Sequence, residues 1–255
     1  ERSPSYGSCL QRDAGYTPVE LRYNTGLRIS DNGRRLAESL EELVEGWPTP
    51  VDEIALLGHS MGGLVARSAC HYGHTTGRQW PTSVRHVFCL GSPHLGSPIE
   101  KAANVAGWAL GRLPETRPFA KLINRRSVGI KDLRFGAILE EDWRDHDPDE
   151  FLQDRCNEVP FLEHATYYFI GATLTHDAEH PVGTLVGDLL VRFPSASGRG
   201  RARRIPFELD RGRHLGGLNH FDLLNHPAVY EQIRAWLASD DGERVSRRQL
   251  AEANA

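Results

Sequence analysis

Leu56-Leu57-Gly58-His59-Ser60-Met61-Gly62-Gly63 is the stretch on which the reading of this chain turns. Ahead of it, the apolar run Ile54-Ala55-Leu56-Leu57 predicts a short buried strand. Behind it, Leu64-Val65-Ala66-Arg67-Ser68-Ala69-Cys70 predicts a helix. Between the two stands Gly58-x-Ser60-x-Gly62, the spacing of a nucleophile elbow. A strand that turns sharply into a helix holds its turn residue in strained backbone geometry. The flanking positions must then be small, because neighbouring backbone lies too close for a Cβ. Ser60 is thereby lifted clear of the sheet edge, and the backbone N–H of Met61, at the helix N-terminus, is free to meet an oxyanion. The simpler alternative is a glycine-rich strand–helix turn with no chemistry. The elements on both sides favour the elbow.

Outward from this stretch the chain alternates strands and helices. Residues 5 to 14 predict a short helix stopped by Gly15, and Val19-Glu20-Leu21-Arg22-Tyr23 alternates as a strand does. Ser30 or Asp31 is placed to cap a helix with Leu36, Leu40, Leu43 and Val44 on one stripe, ended by Gly46 and Pro48. After the elbow helix, Val84 to Leu90 predicts a third strand, leading into Gly91-Ser92-Pro93-His94-Leu95-Gly96-Ser97-Pro98. Such alternation is the mark of right-handed crossovers and a parallel sheet, hence an α/β fold.

The alternation lapses over residues 99–163, a length that calls for structure of its own. An amphipathic stretch from Ala102 to Leu113 and a mixed helical stretch from Phe119 to about Leu139 suggest a helical cap or lid. The acidic run Glu140 to Asp147 reads as solvated surface. Tyr167 to Ala172 resumes the strands, Val186 to Val191 follows a polar loop, and Ile205 to Leu209 predicts the last strand. Gly216 to His220 reads as a loop, and Pro227 to Leu237 as a closing amphipathic helix. Residues 239–255 are charged, as in a frayed tail or an exposed helix. The expected organisation is a core of residues 1–98 and 164–238, a cap of 99–163 and a tail of 239–255.

Composition narrows the function classes. The chain has 255 residues, 25% charged and 8% aromatic, which suits one globular α/β domain with an insert. A net charge of −4 gives no global field for nucleic acid. Arg199, Arg201, Arg203 and Arg204 crowd one Gly/Ser loop. Such runs are ordinarily solvated, and the sharper reading is contact with anionic headgroups or substrate at a lipid surface. Cys9, Cys70, Cys89 and Cys156 follow no framework or metal spacing, and Cys70 and Cys89 fall in core elements as buried free thiols. No apolar run reaches the ~18 residues of a membrane span, and no signal peptide opens the chain. The expectation is therefore a cytoplasmic protein.

A serine hydroxyl is a weak nucleophile until a base takes its proton, and the base needs a carboxylate to fix its tautomer. His220 fits as base, after the last strand and before the last helix. Asp188 fits as acid, in the Gly187-Asp188-Leu189-Leu190-Val191 turn beyond the strand ending near Ala172. The rivals are weaker. Asp177 lies in an exposed-looking loop, Asp210 at a strand end suited to a turn, Asp222 where it can cap the next turn, and His226 at a helix entry. His59, inside the elbow, is too tied to the Ser60 backbone to act as the base and is read as packing near the pocket. His71 with His74, and His176 with Asp177 and His180, have ligand-type residues at short spacing but not the pattern of a metal site. No metal or cofactor is expected.

Four blocks in order resemble the α/β-hydrolase lipase/esterase superfamily: Gly58 to Gly63, Leu90 to Pro98, Gly187 to Val191 with Pro194-Ser195-Ala196, and Asn219 to Leu224. Within it the chain looks most like bacterial proteins related to the PGAP1 group of GPI inositol-deacylases. The resemblance spans about residues 5 to 238. It implies Ser60 as nucleophile, Asp188 as acid, His220 as base and the Met61 N–H as an oxyanion donor, acting on a small or lipid-like carboxylic ester through an acyl-enzyme. The same triad would serve an acyltransferase. Members of this group carry a His-Gly pair on a loop well before the elbow, which supplies a second oxyanion N–H. No such pair precedes Ser60 here, so the expectation is an N-terminally truncated version, with a catalytically impaired family member as the alternative.

Overall fold

The computed structural model describes residues 4–97, 127–144, 156–173, 198 and 205–253. Among these, backbone contacts define two units, Glu1–Glu20 with Phe221–Ala255 and Leu21–His220. The amphipathic stretch of residues 102–113, the 175–180 loop with Asp177, the 186–191 turn with Asp188 and the arginine run 199–204 lie outside the described residues.

The larger unit is built on a four-stranded parallel sheet: β1 (Ile54–His59), β2 (Val84–Leu90), β3 (Thr166–Thr173) and β4 (Gly212–Gly216), side by side in chain order. His59 pairs with Leu90, and Leu90 with Ile170, so the ends of the first strands stand level at the carboxyl edge. β2 and β3 are nearly continuous apolar runs buried along their length, as central parallel strands covered on both faces must be. β1 ends the order of described strands, and its Leu57 is 39% exposed.

Two helices of this unit pack together, α2 (Ile29–Glu45) and α3 (Met61–Thr75). Their close approach depends on Gly33, where a Cβ would stand 2.2 Å from the Ser68 hydroxyl. That hydroxyl donates to the Ile138 carbonyl at 2.6 Å. α3 is buried nearly all round, with Leu64, Val65, Ala69 and Cys70 in the core beside Val87, Cys89 and Phe169. Burying each of the Leu, Val and Phe side chains among these contributes about 1.5–3 kcal/mol. Burial pushes the Cys70 and Cys89 thiols up to about 12, so both are packing groups, not reactive ones.

The smaller unit holds α1 (Tyr6–Ala14), capped by the Ser5 hydroxyl and stopped by Gly15 at φ 73°, as its sequence predicts. It also holds the closing helix, numbered α5 below (Pro227–Ala253), whose entry is capped by His226 Nδ1 accepting from the Ala228 N–H. Tyr6 binds them: its hydroxyl donates to the Leu223 carbonyl and accepts from the His226 N–H at 2.8 Å. The charged tail is helical as far as Ala253.

Several expectations are corrected. Val19 to Tyr23 forms no strand: Val19 and Leu21 are exposed, and only Tyr23 packs on the core. α2 begins at Ile29 with Arg28 as its cap residue, so neither Ser30 nor Asp31 caps it. The acceptor comes from far along the chain, as Asp132 Oδ2 takes the Ile29 N–H at 3.0 Å. From 127 to 139 the helical part is only α4 (Val128–Asp132). The acidic run is not all solvated. Asp142 is buried, accepting from the N–H groups of Ile138 and Leu139 and from Asn157, and Glu140 pairs with Arg34 and Arg144. The last strand is Gly212–Gly216, not Ile205 to Leu209. Ile205 and Phe207 serve the core from a loop, and Gly212 leaves room for the Phe169 ring, 2.1 Å from where its Cβ would be.

Candidate active site at the end of β1

β1 runs out at His59 and α3 starts at Met61, so Ser60 is the whole turn. Its backbone sits at φ 55° and ψ −122°. Among the described residues it is the one non-glycine with positive φ. Conformations of this kind cost about 1–3 kcal/mol and persist only where the surroundings enforce them. The enforcement is visible. The Ser60 N–H donates to the Leu90 carbonyl at 2.8 Å, which ties the turn to the end of β2. A Cβ at Gly58 would stand 2.4 Å from the Gly62 carbonyl carbon, and one at Gly63 would stand 2.1 Å from the Ser92 hydroxyl. These glycines let β1, the first turn of α3 and the loop after β2 close on one another.

The turn presents Ser60 at the N-terminus of a 15-residue helix. Met61 opens that helix, where N–H groups lack intrahelical acceptors and the helix dipole favours negative charge. Its side chain is buried, so it anchors the turn from below.

His220 closes the loop after β4 and is 2% exposed. It meets the β1 end through His59: His59 Nε2 lies 2.9 Å from the His220 carbonyl oxygen, and the two rings stand 4.6 Å apart at 47°. A pair of residues 161 positions apart in sequence is thus brought together beside Ser60. Asp188 lies outside the described residues. The rivals take local roles: Asp210 is in a 3-10 turn before β4, Asp222 opens another, and His226 caps α5.

The Ser92 to Ser97 loop is held from two sides. Arg67 on α3, 3% exposed, donates to His94 Nδ1 at 3.1 Å, its guanidinium 5.3 Å from the Phe161 ring. Gly96, at φ 93°, leaves room for the Arg134 carbonyl, and the Ser97 N–H donates to the Leu133 carbonyl at 2.7 Å. Sequence reading did not find Arg67. A lone arginine in an apolar helix is the signal that could have marked it, since such a charge must be partnered when buried. Among the described residues no group of three or more metal-ligating side chains converges.

Residues 22–143 match the family model of the PGAP1-like alpha/beta domain. Solved structures include similar chains. Bacillus licheniformis lipase BlEst2 in its propeptide form is 20% identical, with a TM-score of 0.50, over 81% of this chain and 40% of that one. The mature form of the same lipase is 17% identical, with a TM-score of 0.49, over 82% of this chain and 74% of that one. Staphylococcus hyicus lipase is 15% identical, with a TM-score of 0.34, over 79% and 71%. No curated protein matches the chain by sequence. The parallel sheet with its flanking helices and the domain match make the fold that of an α/β-hydrolase.

Proposed function

We propose that this α/β-hydrolase, with its PGAP1-like domain, is a serine hydrolase that cleaves carboxylic esters of apolar acyl groups. The observation that carries the reading is Ser60 itself. A serine is held at positive φ between a parallel strand and a helix N-terminus, at a cost a mere connection would not need.

In this reading Ser60 Oγ attacks the ester carbonyl while His220 takes its proton. Asp188 fixes the His220 tautomer and stabilises the imidazolium that forms. The negative charge gathering on the carbonyl oxygen is met by the Met61 N–H, aided by the dipole of α3. Collapse of the tetrahedral intermediate expels the alcohol, which takes the proton from His220. Water, activated by the same base, then releases the acid and frees Ser60. Support for His220 comes from its loop after β4 and its proximity to the β1 end through His59. Support for Asp188 is its place in the sequence, between β3 and β4. Among the described residues no helix is long and apolar enough to cross a membrane.

Short p-nitrophenyl esters test the reading. Ser60→Ala and His220→Ala should each lower kcat by about 10³-fold or more, with far-ultraviolet dichroism unchanged, and the double variant should be little worse than either. Turnover that survives Ser60→Ala would refute it.

A further inference from the structure

We propose that His59 is a positioning residue for His220, setting the separation of nucleophile and base; the inference rests on the serine-hydrolase reading above. His59 and Ser60 are consecutive, at the end of one strand. A backbone carbonyl can only accept, so the 2.9 Å contact from His59 Nε2 to the His220 oxygen requires the proton on Nε2. The bond therefore ties the main chain of the base to the residue next to the nucleophile. On the same side, the Ser60 N–H is fixed to the Leu90 carbonyl, so the link is anchored in the sheet. The His59 ring also lies against the His220 ring, 4.6 Å between centroids, and limits how that ring can tilt.

Placement of this kind matters because a displacement of about 1 Å at a reacting group can cost about 100-fold in rate. His59 exchanges no proton with substrate in this account. Its Nε2–H holds the loop through the His220 carbonyl.

The test compares His59→Phe, which keeps a ring without the donor, with His59→Gln, which returns an N–H near the position of Nε2. His59→Phe should lower kcat for a short p-nitrophenyl ester by about 10- to 100-fold with KM within about twofold. It should slow labelling by a fluorophosphonate equally, and His59→Gln should recover most of both. A merely structural role would lower melting temperature in both variants without selective rescue by Gln, and that result overturns the proposal. So does a wild-type kcat in His59→Phe. Long-range ¹⁵N–¹H spectra of the wild-type protein decide independently of how the variants fold. A proton on Nε2 of His59 is expected, and a ring protonated on Nδ1 alone contradicts it. Wild-type protein left unlabelled at Ser60 would instead sink the serine-nucleophile reading, whatever His59 does.

Discussion

Ser60 is where stability and chemistry pull against each other. Its positive φ is tolerated because Gly58 and Gly63 let backbone and the Ser92 hydroxyl close in around it. Ser60→Gly removes the strain of about 1–3 kcal/mol but loosens the unfolded chain by about 0.4–1 kcal/mol. The expected result is a net gain of about 1 kcal/mol in urea unfolding, together with loss of ester turnover. A loss of stability would show that the serine is not strained. At this scale the sequence was most legible where the constraint is local: a Gly-x-Ser-x-Gly spacing names its own small positions. It was least legible where partners are distant. Asp142 sits in a run of acids that looks solvated, yet it is buried by backbone N–H groups of Ile138 and Leu139 and by Asn157. The His59 link to the His220 carbonyl is likewise invisible without the fold.

The start of α2 shows how an element can take its cap from outside its own segment. Asp132, at the end of α4, accepts the Ile29 N–H and pairs with Arg28, whose guanidinium also lies 4.4 Å from the Trp143 ring. Asp132 is 4% exposed, so Asp132→Ala leaves the half-buried Arg28 without its partner and the Ile29 N–H without its acceptor; the expected loss is about 3 kcal/mol. Burial, opposed by the Arg28 charge, raises the Asp132 carboxyl from 3.8 to about 6. The native state thus holds this proton more tightly than the unfolded chain. The contribution of Asp132 to stability therefore falls as pH rises from about 4 to about 6, and is level above that. Urea midpoints measured across this range should lose that downward component in Asp132→Asn; an unchanged pH slope would contradict the assignment. Element boundaries failed in the sequence for a related reason. Ile205 to Leu209 has the apolar pattern of a strand, but β4 forms from Gly212 to Gly216 because that segment fits beside β3, with Gly212 under the Phe169 ring.

For the whole molecule, strand–helix alternation was enough to foresee a parallel sheet, since each crossover returns the chain in one direction. β1, β2 and β3 fall where their apolar runs predict, and the elbow falls at the carboxyl edge, where open α/β sheets place their chemistry. What alternation does not encode is which later loop reaches that edge. Chain order alone marks His220 as the candidate base, and its contact with His59 places its loop beside the β1 end. The central claim is that Ser60 is a nucleophile activated by this architecture, and covalent labelling tests it most directly. Treatment with a fluorophosphonate, followed by intact-mass and peptide mapping, should add one adduct per chain, on the peptide carrying Ser60. The adduct should be absent from Ser60→Ala and formed far more slowly in His220→Ala. No adduct on the folded wild-type protein, or an adduct that persists in Ser60→Ala, would contradict the account.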